Sequence, residues 1–562
     1  MEDEKIISEH VSDKRASTQF KERRFNQWNE NFYLYRDKIF TNRLTQRQTV
    51  NIPIIRETIQ TWISKIDEPP MLTFESRSRD TRSLDGEVVV NELWAYYFEK
   101  LKLDLLDNLD KKTVGLQGRS FKKWGWANNE IFCDLIDPYD IDISPILNPL
   151  DMNSAAFVVH KNIFKPLRVI LANPKYSDEA KQTLKVYLDS RQGILHSKEV
   201  ENEWNKRQER LRALGAFNFD DFQATDVMIE LNESYKMRWN AKTNQMERHL
   251  DVIGMDKAVL YKAPLKEAIG IDTLPLVSWA DDPDLNDFWC DGKADSVRTI
   301  NKVVNTYISQ DLENRTYRNF GMYFFNTKGG DFQPQAFDPK PFGMYGVPGN
   351  PAEVIQQMKI EPLGDTSNQI EFLKNLIQSS VAQTPTERGI ADPGAQTLGE
   401  VKLNLQQSTS RNEVTAKNYR RAWKESGEVF YQLLNANSNG QITLYKKGSD
   451  GEYRPKTILP TDWKNPAGYE CKVEYKSEKE ASDQFALQKA SYVRSSFQDN
   501  PVAMKLARQK ELELLGWSAE EIQQVMDYEN QPPQPVQPGA PQGQDPNAPV
   551  LSPIQPGQPL KP

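Results

Sequence analysis

The feature that most limits how this chain can fold is a succession of three helical patterns interrupted twice. A long helix is expected from Asp291 to Arg318, where Ala294, Val297, Ile300, Val303, Val304, Ile308 and Leu312 form one apolar stripe. At 1.5 Å per residue such a helix is about 40 Å long. Residues 319–364 then break the helical period, and a second helix from Asp365 to Ala382 carries Ile370, Leu373, Leu376, Ile377 and Val381 as its stripe. Pro385, Gly389, Pro393 and Gly394 disfavour helix over 383–396. Thr397 with Glu400 then makes a capping box that opens a third long helix, to about Leu434.

The insert at 319–364 is aromatic: Phe320, Tyr323, Phe324, Phe325, Phe332, Phe337, Phe342 and Tyr345, with a strand signal at Met322 to Phe325 and a turn at Lys328-Gly329-Gly330. So short a segment cannot bury that many rings by itself, which points to burial between subunits. The alternative is a hairpin lid folded back on its own domain. On the first helix the side opposite the stripe shows Arg298, Lys302, Asn305, Gln310 and Arg315.

Upstream, Phe25, Trp28, Phe32 and Tyr35 give one helix an aromatic face, and Ile54, Ile55, Ile59, Trp62 and Ile66 mark a second that stops at Pro69-Pro70. The run MLTFES, Met71 to Ser76, reads as a strand, and Val88 to Leu106 as a third helix. FKKWGW and IFCDLI read as strands within 113–159, and 163–217 reads as charged helix, strongest at KEVENEWNKRQERLRALG. Residues 226–280 read as a β-meander that includes LPLVSWA. Downstream, QITLYKKG and YECKVEYK are expected to pair as strands across a GSDGEYRP turn. Helices are expected again beyond Glu478, one starting near Pro501, one capped by Ser518 with Glu521. The last 32 residues hold eleven of the 34 prolines and have too little apolar surface to offset their ordering entropy.

Composition narrows the chemistry. Mean hydropathy is -0.70, and no apolar run approaches the roughly 18 residues of a membrane span. The acidic start MEDEKIISEH lacks a secretory pattern, so synthesis in the cytoplasm is expected. A net charge of -8 argues against a broad basic clamp on nucleic acid. Cys133, Cys290 and Cys471 are too scattered for a metal or disulfide framework, and His10, His160, His196 and His249 lack second ligands at usable spacing. No phosphate-binding Gly-rich loop or nucleophile elbow is present. No catalytic residue, metal or cofactor is therefore expected. The acids Asp281, Asp282, Asp284, Asp287, Asp291 and Asp295 fail the calcium-loop pattern, since its sixth position would be Asp287 and its twelfth Lys293. A loop leading into a helix capped by Asp291 accounts for them, with a metal-dependent hydrolase or nuclease kept as the rival reading.

Helix, insert, helix, hinge and helix in this order resemble the portal protein of tailed bacteriophages. The resemblance runs from WNENFYLY to YECKVEYK, and its best carriers are IDPYDIDISP, LPLVSWADDPDLNDFWCDGKADSVRTINKVVN and TERGIADPGAQTLGEVKLNLQQ. It implies an α+β protomer: a mixed wing over 1–290, a first stem helix at 291–318, a clip at 319–364, a second stem helix at 365–382, a tunnel loop at 383–396, a long helix at 397–434, wing strands at 435–477, a helical crown at 478–529 and a Pro-rich tail at 530–562. It implies a dodecameric homo-oligomeric ring at one capsid vertex of the virion, passing double-stranded DNA and contacting the major capsid protein, the terminase large subunit and head-tail adaptor proteins, with no membrane. On this resemblance Arg298, Lys302 and Arg315, with Thr386, Glu387, Arg388, Asp392 and Gln396 of the hinge, face the DNA, while the clip aromatics Phe320, Tyr323, Phe324, Phe325, Phe332, Phe337 and Phe342 meet neighbouring subunits. A tail or baseplate structural protein is the other non-enzymatic reading.

Overall fold

A computed structural model describes residues 2–37, 50–66, 69–145, 147–187, 194–195, 227–241, 243–319, 323–325, 350, 355–357, 361, 364, 366–380, 398–447, 453–465, 467–474, 487, 489–492 and 501–514. The fold is α+β. The chain divides into two units, 1–474 and 475–562. The first opens with helix α1 (Glu2–Tyr35), α2 (Ile54–Lys65), strand β1 (Met71–Ser76), α3 (Thr81–Lys100) and α4 (Leu103–Gln117). Strands β2 (Arg119–Ala127), β3 (Glu130–Ile136), β4 (Ile141–Ile143) and β5 (Phe157–Pro166) follow, then α5 (Leu167–Ala172), α6 (Asp178–Lys185) and β6 (Ile194–Leu195). Next come β7 (Met228–Asn240), β8 (Gln245–Gly254), β9 (Ala258–Pro264), α7 (Leu265–Ile269) and β10 (Leu276–Ala280).

The helical succession follows: α8 (Lys293–Asn319), β11 (Tyr323–Phe325), β12 (Ile355–Gln357), α9 (Thr366–Ser380) and α10 (Leu398–Asn437). Strands β13 (Ile442–Lys447) and β14 (Tyr453–Ile458), helix α11 (Pro460–Trp463) and strand β15 (Tyr469–Glu474) close the unit. In the second unit, α12 (Pro501–Leu514) begins at the expected proline. No described helix is long and apolar enough to cross a membrane.

Four local expectations are corrected. The helix expected over 88–106 is two helices, because Lys102 takes a left-handed conformation (φ 52°) and turns the chain so that Leu103 and Val114 enter the core. The start of the 163–217 segment is strand: β5 continues to Pro166 because Asn162 (φ 60°) absorbs a bulge and the ladder to β7 resumes at Ile163. The LPLVSWA strand leaves the meander. Gly270 (φ 86°) redirects the chain after α7, and β10 pairs with β2 instead, Trp279 opposite Ser120. Finally, β13 and β15 do not pair. The last three residues of the expected GSDGEYRP turn, Tyr453 to Pro455, begin strand β14, which tolerates Pro455 in a two-stranded sheet, and β15 returns to β1 with Phe74 opposite Cys471.

Three large apolar clusters hold the described elements, and a fourth small one joins Ile6 of α1 to Ile253 and Val259. Sheet β10-β2-β3 and the β1-β15 pair pack on α3, α4 and α10, with Trp94, Trp124, Trp423 and Phe430 at the centre. Trp94 meets Phe430 edge-on at 5.0 Å. The sheet β4-β5-β7-β8-β9 is covered by α1, whose Phe25 and Trp28 pack on Tyr139. The third cluster joins α1, α2, α8 and α9 through Leu34, Ile55, Ile59, Ala294, Val297, Val304 and Ile377.

Candidate functional site

The candidate site is the excursion from α8 to α9 and the base that fixes it. At the tip, Tyr323 and Phe325 pair with Gln357 and Ile355. Near the end of α8, Asn314 donates to the Glu361 carbonyl at 3.1 Å, and α9 returns along α8 with Ile370, Leu373 and Ile377 against its apolar side. The stripe of α8 is thus partly consumed within the chain: Ala294, Val297 and Val304 are fully buried, whereas Leu312 nearer the tip is 36 % exposed. The same half of the molecule leaves Phe372 of α9 exposed.

The base is built on close approach. Gly118 ends α4 in a left-handed conformation (φ 82°), and a Cβ there would fall 1.9 Å from the Cys290 carbonyl oxygen. Gly292 faces it, its own hypothetical Cβ 2.7 Å from the Gly115 carbonyl oxygen. The loop leading into α8 therefore lies directly on the last turn of α4, as only glycines allow.

Polar contacts then set the direction of α8. Asn31 of α1 donates to the Leu116 carbonyl at 2.9 Å and to Asp295 at 3.0 Å. Asp295 also accepts from the Gly292 amide at 2.9 Å, capping α8 from its third position. Asp291, expected to be the cap, is instead exposed and ion-paired with Arg24. Asn305 accepts from the Ile52 amide at 2.9 Å, and Ser309 from Val50 at 3.1 Å, tying the segment before α2 to the middle of α8. On the other helix, Thr415 of α10 donates to one oxygen of buried Asp281 while Lys293 of α8 pairs with the other at 2.8 Å.

These contacts absorb most of the acidic run. Asp287 pairs with Arg23 and Arg24 and accepts from the Trp289 amide at 3.0 Å. Burial works against its charge, but the two guanidinium groups outweigh it and hold its pKa below the ordinary carboxylate value. Asp284 accepts from the Asn286 amide in an exposed turn. Among the described residues no group of three or more His, Cys, Asp or Glu side chains is arranged to hold a metal ion. Cys133, Cys290 and Cys471 are free and buried, and burial pushes the Cys290 thiol up to about 11 and that of Cys471 to about 12. Cys133 and Cys471 pack as small apolar groups in the first cluster, and the Cys290 thiol donates to the Gly118 carbonyl at 3.5 Å.

The expected basic residues are placed unequally. Arg298 is 16 % exposed in its side chain and pairs with Asp295 and Glu30. Lys302 reaches Glu30 at 2.6 Å and is 47 % exposed, and Arg315 pairs with Asp311 within α8 and is 66 % exposed. Tyr323, Phe324 and Phe325 lie on β11, of whose side chains nothing further is described; Phe320, Phe332, Phe337 and Phe342 lie outside the described residues, as do Thr386, Glu387, Arg388, Asp392 and Gln396. The charged segment at 198–215 and the Pro-rich tail lie outside them too.

The sequence reading missed the partners that orient α8, namely Arg24, Glu30 and Asn31 of α1. It also missed a buried ionic knot between α4, β2, β10 and α10. There Asp107 accepts from Tyr419 at 2.8 Å and pairs with Lys111 at 2.7 Å, while Asp110 accepts from Trp279 at 2.8 Å and pairs with Lys122 at 2.8 Å. Burial raises the pKa of Asp107 against the pull of both lysines. Lys122 stays high in spite of burial because Asp110 and Asp107 face it. The knot fastens α10 to the sheet behind α8. The sequence matches no protein-family model and no curated protein.

Proposed function

We propose that this chain is a portal-type subunit: a non-enzymatic protein that assembles into a dodecameric ring at one capsid vertex of a tailed phage and passes double-stranded DNA. The observation that carries the reading is the excursion itself, one long helix out, a paired-strand tip, and a second helix back along the first. Its base is gripped by α1, α2 and α4, and its described tip strands β11 and β12 pair with each other, the arrangement of an element that projects from a fixed base. In this reading 319–364 is the clip, with Phe320, Tyr323, Phe324, Phe325, Phe332, Phe337 and Phe342 between subunits, and 383–396 is the tunnel loop. The ring would be seated in the major capsid protein and would dock the terminase large subunit during packaging and head-tail adaptors afterwards.

Support against the enzymatic rival comes from the acids, whose best-placed members Asp281, Asp287, Asp291 and Asp295 are each paired with Lys or Arg of this chain. The test is imaging and native mass measurement of the purified full chain. Closed rings of one stoichiometry with a central hole are expected; a stable monomer, or open filaments under every condition that keeps the chain folded, would overturn the reading.

A further inference from the structure

The chain contains a single Asn-Gly pair, Asn439-Gly440, in the connection between α10 and β13. Both residues are exposed. Helix α10 has already ended, with the Ser438 amide donating back to the Leu434 carbonyl at 3.0 Å, so Asn439 and Gly440 belong to neither the helix nor the following ladder. Glycine leaves its own backbone nitrogen sterically open to the preceding side chain. One further group is aimed at this pair: Lys464, just after α11, donates its Nζ to Asn439 Oδ1 at 3.3 Å, while its ammonium lies 5.6 Å from the Trp463 ring centre.

From this juxtaposition we infer that Asn439 is a site of spontaneous backbone-assisted deamidation, with Lys464 as its electrostatic promoter. The Gly440 nitrogen gives its proton to solvent base and bonds to Asn439 Cγ. Negative charge develops on Oδ1, where the Lys464 ammonium already donates. The Cγ–Nδ2 bond then breaks as the Cγ–Oδ1 double bond re-forms, Nδ2 takes one proton from water and leaves as ammonia, and a five-membered imide remains. Water opens it at either carbonyl to give aspartate or isoaspartate, so the balance is asparagine plus water to acid plus ammonia, with no oxidant or reductant. The product carboxylate lies beside Lys464 and forms an ion pair in place of the neutral contact. Each copy of the chain thereby gains one negative charge at the joint that carries α10 into the β13-β14 sheet. In the isoaspartate form that joint also gains one extra backbone atom.

The test is prolonged warm incubation of the folded full-length chain at mildly alkaline pH, followed by peptide mass mapping and isoaspartate detection. Wild type is expected to convert at Asn439. The Gly440→Ala variant is expected to fold normally, since a Cβ there meets only Asn129 Nδ2 at 3.7 Å and φ is not positive, and to give no product over the same time. Lys464→Met is expected to slow conversion several-fold; the site is open to water, so the effect falls short of the roughly hundredfold of an enclosed oxyanion site. If Asn439 in folded wild type remains an amide after the same sequence in the unfolded chain has converted, the site is overturned. Equal rates in wild type and Lys464→Met would overturn the role given to the lysine.

Discussion

Lys21 Nζ lies 3.0 Å from Asp142 Oδ1, and both side chains are fully buried, so the middle of helix α1 is fastened to the large sheet by an ion pair with no access to water. Lys161 takes the other oxygen at 2.9 Å, and Lys21 donates also to the carbonyls of Tyr139 and Ile141. Burial alone raises the pKa of Asp142, but the two lysines outweigh it and hold it at about 2. Replacing Lys21 by Met leaves three acceptors short of a donor, and Asp142→Asn leaves two buried ammonium groups. Loss of one partner of a buried pair costs about 3–5 kcal/mol. Urea melts of either variant should show a shift of that size.

His160 gives the acid limb its own signature. Burial, then the charge of Lys123, hold its pKa at about 3, against the opposing pull of Glu233. Lys123 can only donate, so at 3.2 Å the Nδ1 of His160 accepts, and the folded protein keeps the ring neutral. The unfolded chain binds a proton near the ordinary histidine value of 6.5. Between that pH and about 3 the unfolded state therefore holds one more proton, and stability falls with pH by about 1.4 kcal/mol per unit from this group. Glu233, held at about 2 in the fold, adds its loss only below its ordinary value of 4.5. Unfolding midpoints measured from pH 7 to 5 should thus decline less in His160→Gln than in wild type. Parallel declines would mean that His160 is not buried neutral.

Legibility in the sequence followed the apolar signal closely. Helices α8, α9 and α10 and strand β1 sit within a few residues of where periodicity placed them, because their buried faces are mostly aliphatic or aromatic. Helix α1 was seen only in its aromatic half. Its buried line is His10, Lys14, Ser17, Lys21, Arg24, Trp28, Asn31 and Tyr35, spaced four and three alternately, and a search for apolar repeats passes over such a line although the period is there. The partners of α8 were hidden for the same reason: Glu30 and Asn31 look like solvated helix residues until Arg298 and Asp295 are brought to them. Strand pairing was least legible, since β15 meets β1 across almost the whole unit and nothing local specifies that partner.

The contact of Gly118 with Cys290 yields a sharp prediction. Gly118→Ala introduces both a left-handed non-glycine residue, costing about 1–2 kcal/mol by itself, and a Cβ in collision with a backbone carbonyl that no rotamer change relieves. A loss well above the conformational term is expected in chemical denaturation. Gly440→Ala, whose Cβ would meet only Asn129 Nδ2 at an ordinary contact distance of 3.7 Å, serves as the control and should leave the midpoint in place.

Asn301 of α8 is fully buried, and among the described residues neither its amide nitrogen nor its oxygen meets a partner. An unsatisfied buried amide costs about 1–3 kcal/mol. Asn301→Leu, nearly equal in size, should therefore raise the denaturation midpoint. A lowered midpoint would show that the amide is satisfied in solution, by an enclosed water or by a neighbouring subunit, and comparison of the variant at low and high protein concentration separates these two cases.

The basic residues of α8 give the last test, because their surroundings divide their roles. Arg298 is mostly buried between Asp295 and Glu30, so Arg298→Gln removes charged hydrogen bonds and should lower stability by about 1.5–3 kcal/mol. Lys302 and Arg315 are 47 % and 66 % exposed, and their joint replacement by Gln should move stability by no more than about 0.5 kcal/mol. If α8 lines a DNA channel, weak phosphate contacts from these two exposed groups, repeated around the ring, act on the DNA alone. The Lys302→Gln, Arg315→Gln double variant should then form rings at wild-type yield yet package or retain less DNA, with the deficit growing at low salt. Rings with wild-type packaging and retention at every salt concentration would remove both residues from the DNA path and turn this face of α8 toward solvent or another protein.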